Sequence, residues 1–572
     1  MDESSLSPLQ LAGQWLRELE GRLLSGVGLA EIFVSGAHWR DAVAFTGSLL
    51  TTSGATEIES ALQVENSRVK SKNFTVSLDP APQLKTRGGV EIVEAFFDFV
   101  TDAGTGRGVV RLMQEEGMPI AWTLLTALQT MEGFEDPDNS NRPRGGKNAS
   151  NLAVSPGEAI ELEDPEVVII GGGHAGMMLG ARLKRLGVEA LIVDKNKRVG
   201  DNWRLRYDAL ALHNEAWVCE LPYMSYPPTW PVYLPKDMLA NWLETYAWAM
   251  ELNYWTNSEL VSAVYDSDAK RWIAILQRDG EVRELRPRHL VIATGLSGGA
   301  KNVGLPGLGE FEGTVMHSSV FSNGNSWKGK QAIVVGSGNS GHDVAQELHE
   351  RGAASVTMVQ RSPTTITSVE PAAQLVFALY SEGPSISDSD LLAVSMSYDL
   401  TLAGQKILTK RMYELDKHLL DRLEERGFRT DLGEDDSGYY MKYLRTGGGY
   451  YLNVGCSELI ADGKIHVAQS SSIERYCASG AVLTDGTIIE ADLILMATGY
   501  ENLQDTTRRV LGDEIADTVG PVWGFDVRGD VNNMWRETDQ EGLWYMAGSF
   551  AQCRTYSRYL AQQLKVSLDA QP

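Results

Sequence analysis

Two short glycine-rich segments have the spacing that binds the phosphates of a dinucleotide. The first is Gly171-Gly-Gly173-His-Ala-Gly176, which directly follows the apolar run Val167–Ile170. The second is Gly336-Ser-Gly338-Asn-Ser-Gly341, which also follows an apolar run and precedes a helical pattern. In this pattern the first glycine permits a tight turn, the second lets the backbone approach a pyrophosphate, and the third lets the helix pack closely on the strand. The sequence therefore predicts two dinucleotide sites on one chain.

The strands that follow the two loops are followed by residues of different charge. Asp194 lies 23 residues after Gly171, where an acid accepts hydrogen bonds from an adenosine ribose. The second strand leads instead into Gln360-Arg361-Ser362, and arginine with serine suits a 2′-phosphate that an acid would repel. The alternative, that Arg361 is only a solvated loop residue, stays open. The simplest chemistry for such a pair is FAD at the first site, reduced by NADPH at the second.

A strand followed by Ala-Thr-Gly occurs twice, at His289–Gly295 and at Asp492–Tyr500. The first copy precedes the second glycine loop and the other copy follows it. Such strands return the chain to a sheet and cross between domains, so their placement predicts an NADPH domain nested inside an FAD domain. Either copy alone could be an ordinary buried strand that ends in a turn.

The predicted fold class is α/β, with two nested Rossmann-like dinucleotide-binding domains preceded by a small α+β domain. Residues 165–327 and 484–572 are predicted to form the FAD-binding domain. Residues 328–483 are predicted to form the NADPH-binding domain, with a helical insertion at about 371–427. Residues 136–164 are rich in Pro, Gly, Asn and Ser and are predicted to be an exposed linker.

Residues 1–135 are predicted to form the separate α+β unit. Apolar residues at helical spacing predict a helix over 11–23, and a second short helix is expected at 39–44. Strands are expected over 89–101, 108–115 and 120–131, with a glycine-rich turn at 102–108.

Composition excludes several classes of function. The 572 residues carry 51 Lys and Arg against 76 Asp and Glu, a formal charge of −25, which disfavours nucleic acid and anionic membrane surfaces as partners. No apolar run is long enough to span a membrane and no signal peptide is evident, so a cytoplasmic protein is expected. The four cysteines include no close pair, which argues against a disulfide scaffold and a pyridine-nucleotide disulfide reductase. No metal site is expected.

Three further segments carry a resemblance to a known family. Phe311-Glu-Gly313-Thr-Val-Met-His317-Ser-Ser-Val-Phe321 matches the FxGxxxHxxx pattern followed by an aromatic residue. Gly200-Asp-Asn-Trp203 resembles a GGxW flavin element, and Leu212–Pro222 resembles a stretch between flavin and active site. Over about 165–572 the chain resembles the class B flavin-dependent monooxygenases, which include flavin-containing monooxygenases, YUCCA-type enzymes and Baeyer–Villiger enzymes.

The sequence departs from this family at informative positions. Phe321 stands where Baeyer–Villiger enzymes normally have tryptophan, which favours the flavin-containing monooxygenase side. Glu215-Ala216 replaces the Pro-Lys of the YUCCA stretch, which argues against the indolic 2-oxo acid substrate of those enzymes. Asp505 replaces the His or Pro of N-hydroxylating relatives.

The resemblance implies an NADPH- and O2-dependent monooxygenase that forms a C4a-hydroperoxyflavin. It would oxygenate a small organic substrate at nitrogen or sulfur, and the alternative is Baeyer–Villiger or YUCCA-like oxygenation of a carbonyl. Asn214 is predicted to hydrogen-bond the junction of flavin and NADP⁺, unless it is an ordinary loop residue. A non-enzymatic NADPH sensor is a further alternative, which bleaching of a bound flavin by NADPH would exclude.

Residues 1–135 faintly resemble NTF2/SnoaL-like domains, and a fold-supporting or dimerising role without catalysis is expected for them. A homodimer is the assembly that such a dimerising domain would give. The residues predicted to contact FAD or NADPH are Gly171, Gly173, His174, Ala175, Gly176, Asp194, Lys195, Asn202, Trp203, His213, Thr294, Gly295, Gly336, Gly338, Asn339, Ser340, Gly341, Arg361, Ser362, Thr498, Gly499 and Gly548.

Overall fold

The computed structural model describes residues 6–135, 165–296 and 298–570. The predicted linker at 136–164 lies outside the described residues. Within the described ranges, no helix combines the length and apolar character needed to cross a membrane.

The N-terminal unit is a seven-stranded sheet with two helices. Its central path has the order β2-β1-β7-β6-β5-β3, and β4 pairs with β5. All pairs are antiparallel except β1 with β7. The elements are α1 (Pro8–Ser25), β1 (Phe33–Ala42), β2 (Leu49–Ser53), α2 (Ala55–Val69), β3 (Lys72–Val76), β4 (Gln83–Arg87), β5 (Val90–Thr101), β6 (Gly104–Glu115) and β7 (Met118–Met131).

The short helix predicted at 39–44 is wrong, because Trp39 to Ala42 belong to strand β1. This strand is paired on both sides, and its last four residues are all buried, so no alternation marks it in the sequence. The Trp39 indole donates to the Thr126 hydroxyl at 2.9 Å, and Asp41 accepts backbone N–H groups from the turn that follows. Helix α2 was not predicted.

The glycine-rich turn predicted at 102–108 is shorter, because β6 begins at Gly104. Aromatic rings explain the remaining glycines. A Cβ atom at Gly106 would lie 2.2 Å from the ring of Phe99, and one at Gly108 would lie 2.1 Å from the ring of Phe97. These glycines leave space for rings on the neighbouring strand instead of forming a turn.

The first nucleotide-binding unit has a five-stranded parallel sheet in the order β10-β9-β8-β14-β25. Strand β25 arrives from the far end of the chain, so residues near 545 complete a sheet that begins near 167. Its elements are β8 (Val167–Ile170), α3 (His174–Arg185), β9 (Ala190–Val193), α4 (Asp201–Arg204), α5 (Lys236–Ala249), β10 (Tyr254–Trp255), an antiparallel sheet of β11 (Ser258–Asp266), β12 (Arg271–Arg278) and β13 (Glu281–Leu285), and β14 (His289–Ile292).

The second unit also has a five-stranded parallel sheet, in the order β15-β24-β16-β17-β20. Its elements are β15 (Thr314–His317), β16 (Gln331–Val335), α6 (Asn339–Glu350), β17 (Ser355–Gln360), β18 (Thr365–Ser368), α7 (Ile386–Val394), α8 (Tyr398–Glu425), α9 (Gly438–Thr446), β19 (Tyr450–Asn453), α10 (Cys456–Ala461), β20 (His466–Gln469), β21 (Ile473–Cys477), β22 (Gly480–Leu483), β23 (Ile488–Glu490) and β24 (Leu493–Met496). The chain then forms α11 (Leu503–Leu511), α12 (Asp513–Val519), β25 (Leu543–Tyr545) and α13 (Phe550–Ala570).

Sheet membership differs from the predicted domain boundaries at three strands. The boundaries at 327/328 and 483/484 would put β15, β23 and β24 in the FAD-binding domain. Strands β15 and β24 instead pair inside the second parallel sheet, and β23 pairs with β22 of the second unit. The helical insertion is present as α7 and α8.

The N-terminal unit is joined to the rest of the chain by buried polar contacts. Arg111, fully buried, pairs with Glu94 at 2.9 Å and donates to the Ser395 hydroxyl at 2.8 Å. Asp530 accepts from the Thr51 hydroxyl at 2.8 Å and pairs with Arg40 at 2.9 Å. The N-terminal sheet is therefore fastened both to the helical insertion and to the C-terminal region.

Candidate functional site

The first glycine loop is shaped by close backbone approaches on two sides and is open on a third. A Cβ atom at Gly171 would lie 2.4 Å from the Ala293 carbonyl oxygen, and φ there is +113°. A Cβ at Gly176 would lie 2.1 Å from the Gly171 carbonyl oxygen, so α3 packs tightly on the turn. At Gly173 a Cβ would meet only the Asn202 amide nitrogen, at 3.0 Å. The open side of Gly173 is where backbone N–H groups can face a pyrophosphate.

Asp194 ends β9 beside this loop. Its carboxylate accepts the Gly172 N–H and the Asn196 N–H, each at 2.8 Å, and burial raises its pKa. Each oxygen keeps a further lone pair, so the carboxylate is oriented and can still accept from a ribose hydroxyl. Lys195 is exposed next to it.

Helices α3 and α13 begin side by side. The His174 ring stacks on Phe550 at a centroid distance of 4.1 Å, and its Nε2 lies 3.1 Å from the Gly548 carbonyl oxygen. Burial lowers the pKa of His174 to about 4, so the ring is neutral near pH 7. His174 thus packs between the two helix starts, with Ala175 buried behind it. Both helix N-termini supply N–H groups and a positive dipole end to this region.

Two buried polar atoms near this loop lack a partner in the described part of the chain. They are the indole Nε1 of Trp203 and the hydroxyl Oγ1 of Thr294. The Trp203 ring lies 5.8 Å from that of Phe550, and Gly295 follows Thr294 at φ +76°. Buried polar groups normally find partners, so these atoms fit a bound group that accepts hydrogen bonds, such as the flavin ring system.

The second glycine loop repeats the geometry of the first. A Cβ at Gly336 would lie 2.2 Å from the Ala497 carbonyl oxygen, and one at Gly341 would lie 2.2 Å from the Gly336 carbonyl oxygen. At Gly338 the nearest atom is the Tyr450 carbonyl oxygen, 3.7 Å away. The loop therefore offers an open face at the same position as its counterpart.

The helix that follows this loop begins with Asn339 and Ser340. The Asn339 side-chain oxygen accepts the Leu452 N–H at 2.9 Å. Asn339 therefore holds strand β19 beside the loop, and its amide NH2 remains the part that could face a nucleotide.

Two arginines lie beside the end of β17. Gln360 stands where the first unit has Asp194; it is fully buried and its amide contacts the Arg429 backbone. Arg361 and Ser362 are exposed, and the Arg361 carbonyl accepts from the Arg429 guanidinium at 2.7 Å. No local sequence signal identified Arg429, because it comes 68 residues later, after the helical insertion. Arg361 and Arg429 therefore bring two cationic residues to the same edge of the sheet, a combination that suits a phosphate.

A buried polar cluster joins the two units. Asp343, in the first turns of α6, accepts the Tyr207 hydroxyl at 2.6 Å, and its other carboxylate oxygen is buried without a partner in the described residues. His213 interacts electrostatically with Asp343, and burial lowers the pKa of His213. The side chain of the neighbouring Asn214 forms no hydrogen bond within the described part of the chain, so its amide is available to a ligand. Tyr207 and Asp343 were missed; an acid just after a glycine loop is the signal that could have found Asp343.

The second Ala-Thr-Gly segment lies against residues 299–301, which come shortly after the first segment. The Thr498 hydroxyl donates to the Lys301 carbonyl at 2.7 Å, and the Lys301 N–H donates to the Gly499 carbonyl at 3.0 Å. His317 Nε2 lies 3.1 Å from the same carbonyl. These contacts join the two crossings between the units and occupy the Thr498 hydroxyl, which was predicted to contact a cofactor.

Residues 165–378 match the family described as Pyridine nucleotide-disulphide oxidoreductase. Indole-3-pyruvate monooxygenase YUCCA1 of Oryza sativa subsp. japonica is 30% identical over 415 residues, covering 68% of this chain and 96% of that protein. Probable indole-3-pyruvate monooxygenase YUCCA10 of Arabidopsis thaliana is 29% identical over 339 residues, covering 59% of this chain and 82% of that protein.

Solved structures share the fold at lower identity. The open crystal structure of cyclohexanone monooxygenase has a TM-score of 0.51 and 16% identity, covering 72% of this chain and 88% of that chain. A flavin-containing monooxygenase from Stenotrophomonas maltophilia has a TM-score of 0.50 and 17% identity, covering 71% of this chain and 100% of that chain. The NTF2-like character of the N-terminal unit stays a prediction.

Two dinucleotide loops of matching geometry, buried donors suited to a flavin, and a relative matched over nearly its whole length lead to one assignment: the chain belongs to the class B flavin-dependent monooxygenases and is an FAD-dependent enzyme that uses NADPH.

Proposed function

We propose that this monooxygenase oxygenates a small organic substrate at nitrogen or sulfur. The choice of nitrogen or sulfur over an anionic 2-oxo acid is carried by the acid Glu215, which is only 7% exposed. At the junction of the two units, His213 of the first unit interacts electrostatically with Asp343 of the second. This contact supports a site in which the two cofactors approach each other beside Asn214.

The two glycine loops assign the cofactors. Gly171, Gly173 and Asp194 would hold the pyrophosphate and ribose of FAD, while Trp203 and Thr294, whose donors have no partner among the described residues, would bind its ring system. When bound, the reduced flavin supplies an electrophilic oxygen derived from O2. The second loop, with Gly338 as its open position, would hold the NADPH pyrophosphate in the same manner.

The protein's own residues would orient the cofactors and shield the reacting atoms from water, rather than exchange protons with the substrate. Asn214 is the candidate to hydrogen-bond the meeting point of the cofactors, since its amide has no hydrogen-bond partner among the described residues. His174 and His213 both have lowered pKa values because of burial and would remain neutral at working pH. Exclusion of water at the junction of the two units would protect a reactive oxygen donor from side reactions.

Oxygenation of a carbonyl is the second candidate. Its support is that the relatives reported above carry the name indole-3-pyruvate monooxygenase, a name that contains a 2-oxo acid. Against it stands Glu215, a buried acid at the site where an anionic 2-oxo acid would need a cation.

Anaerobic reduction followed by product analysis tests the proposal. The purified yellow protein should bleach on addition of NADPH without O2. On admission of air with a thioether, an amine, a ketone or a 2-oxo acid, it should yield a sulfoxide or an N-oxygenated product. Turnover of only the ketone or the 2-oxo acid would overturn the proposal in favour of carbonyl oxygenation, and hydrogen peroxide without any oxygenated product would indicate an oxidase.

A further inference from the structure

One arginine near the start of the last helix connects three separate parts of the chain. Arg554 lies in α13 and is only 5% exposed. Its Nε and Nη2 atoms donate to the two carboxylate oxygens of Asp390, in α7, at 2.9 and 2.7 Å. Its Nη1 atom donates to the carbonyl oxygens of Val218 and Glu220, at 2.7 and 3.0 Å. Arg554 therefore fastens the segment 212–222 to the last helix and to the helical insertion.

The carboxylate that binds Arg554 is itself held in place. The Tyr380 hydroxyl donates to Asp390 Oδ1 at 2.7 Å, and the guanidinium carbon of Arg554 lies 5.5 Å from the centre of the Tyr380 ring. A planar guanidinium that is bound by a carboxylate through two hydrogen bonds has little freedom to rotate, so its remaining N–H groups point in a fixed direction. These are the N–H groups that reach the two carbonyls of the segment 212–222.

The carbonyls that Arg554 binds come shortly after Asn214 in the chain. Val218 and Cys219 are buried, and both of their N–H groups donate to the Glu215 carbonyl, at 2.9 and 3.2 Å. The Cys219 thiol lies 3.8 Å from the Asn214 carbonyl oxygen. The turn that carries Asn214 is therefore closed by its own hydrogen bonds and is held from outside by Arg554.

We propose that Arg554 is a positioning residue of this enzyme: by holding the backbone on both sides of Cys219, it fixes the turn that presents the Asn214 amide to the junction of FAD and NADP⁺. The inference rests on the role proposed above for Asn214 and adds the group that keeps it in place. Arg554 acts through Asn214 and has no direct part in the reaction. Lysine would keep the charge of Arg554 but not the planar fork, which binds a carboxylate and two carbonyls at once.

Two substitutions loosen this contact and a third serves as the control. Arg554→Lys removes the fork, and Asp390→Asn leaves Arg554 in place without its counter-charge, so a folding failure in one variant leaves the other as the test. The control is Asp388→Asn, in the same helix α7, whose carboxylate pairs instead with Arg107 of the N-terminal sheet at 3.0 Å. The side chains of Asp388 and Asp390 are 15% and 13% exposed, so both substitutions remove a similarly buried charge.

Hydrogen exchange of the oxidised, FAD-loaded full chain reports on the turn without any turnover. Exchange in the peptide 212–222 should become about ten- to a hundredfold faster in Arg554→Lys and in Asp390→Asn, the range expected for a lost charged hydrogen bond, while exchange in strand β12 stays unchanged. Asp388→Asn should exchange as the natural protein does in both regions. Unchanged exchange in the peptide 212–222, an equal increase in β12, or the same increase in Asp388→Asn would overturn the inference.

Titration of NADP⁺ into the same oxidised protein, followed by the flavin absorption spectrum, tests whether Arg554 acts through Asn214. The dissociation constant should rise about two- to twelvefold in Arg554→Lys and by a similar factor in Asn214→Ala, as for one lost hydrogen bond. The double variant should bind no more weakly than Asn214→Ala alone, because both substitutions remove the same contact. Additive losses, or full affinity in either single variant, would overturn the inference. These measurements do not involve the substrate, so turnover of only a ketone or a 2-oxo acid would overturn the proposed reaction and leave this inference intact.

Discussion

Two glycines of the first loop separate cofactor binding from folding. Gly173 has φ −76° and ψ −173°, a conformation that any residue adopts, and an added Cβ would meet only the movable end of Asn202. At Gly176 an added Cβ would lie 2.1 Å from the Gly171 carbonyl oxygen, which is fixed backbone. A side chain at Gly173 therefore enters the space for the pyrophosphate, whereas one at Gly176 displaces the chain itself.

These geometries set the expected magnitudes. Gly173→Val should change the free energy of unfolding of the apoprotein by less than about 1 kcal/mol, as substitutions outside packed regions usually do. Overpacking against the pyrophosphate should cost about 1–3 kcal/mol, which weakens FAD binding by about five- to 150-fold. Gly176→Ala should lower the free energy of unfolding by about 1–3 kcal/mol, because the backbone must move.

The assay combines FAD titration of the apoprotein with denaturant unfolding. Gly404→Ala is the matched control, since a Cβ there meets nothing within 4 Å. A Gly173→Val protein that holds FAD as tightly as the parent would refute the placement of the pyrophosphate. A Gly176→Ala protein as stable as the parent would refute the packing argument.

Three further substitutions have defined outcomes. Arg361→Glu should weaken NADPH binding by about 1.5–3 kcal/mol and leave NADH nearly unchanged; equal weakening in binding titrations would mean that Arg361 does not contact the 2′-phosphate. Arg111→Ala should lower the free energy of unfolding by about 1.5–3 kcal/mol, because the buried Glu94 loses one of its two guanidinium partners and keeps only Arg87; denaturant melts alongside the exposed-site variant Arg68→Ala check this. Burial lowers the pKa of His289 to about 4, so its folded form binds fewer protons and stability present above pH 6.5 is lost as pH falls. The loss should be about 2 kcal/mol by pH 5, and His289→Gln should show a flatter pH profile in the same melts.

Local signals predicted the elements that depend on neighbours in the chain. Both glycine loops, the strands before them and the helices after them follow the expected order, because tight turns and helix starts are set by a few adjacent residues. The segment around Trp39 was mistaken for a helix because burial on both faces removes the alternation that marks a strand. The positions of β15 and β24 depend on pairing between distant segments, which no local pattern contains.

The sequence predicted individual residues of the site but not the contacts between distant segments that bring them together. Gly171 lies in the first glycine loop and Asp194 follows the next strand, so both could be found by their spacing in the sequence. Arg429 reaches Arg361 only because the helical insertion returns the chain to the same edge of the sheet. The Tyr207–Asp343 contact likewise joins two units that the sequence treats separately. The proximity of these residues results from tertiary structure alone.

The buried attachment of the N-terminal sheet constrains how this enzyme can be shortened or recombined. A fragment that starts at the first nucleotide-binding unit would expose Asp530 without the Arg40 guanidinium and the Thr51 hydroxyl, and would leave Ser395 open to water. Grafting the catalytic units of a relative onto this N-terminal sheet would require matching replacements at each of these positions together. Substitutions in the N-terminal sheet therefore require compensating substitutions in the catalytic units. We expect the sheet and the catalytic units to be exchanged between relatives only together.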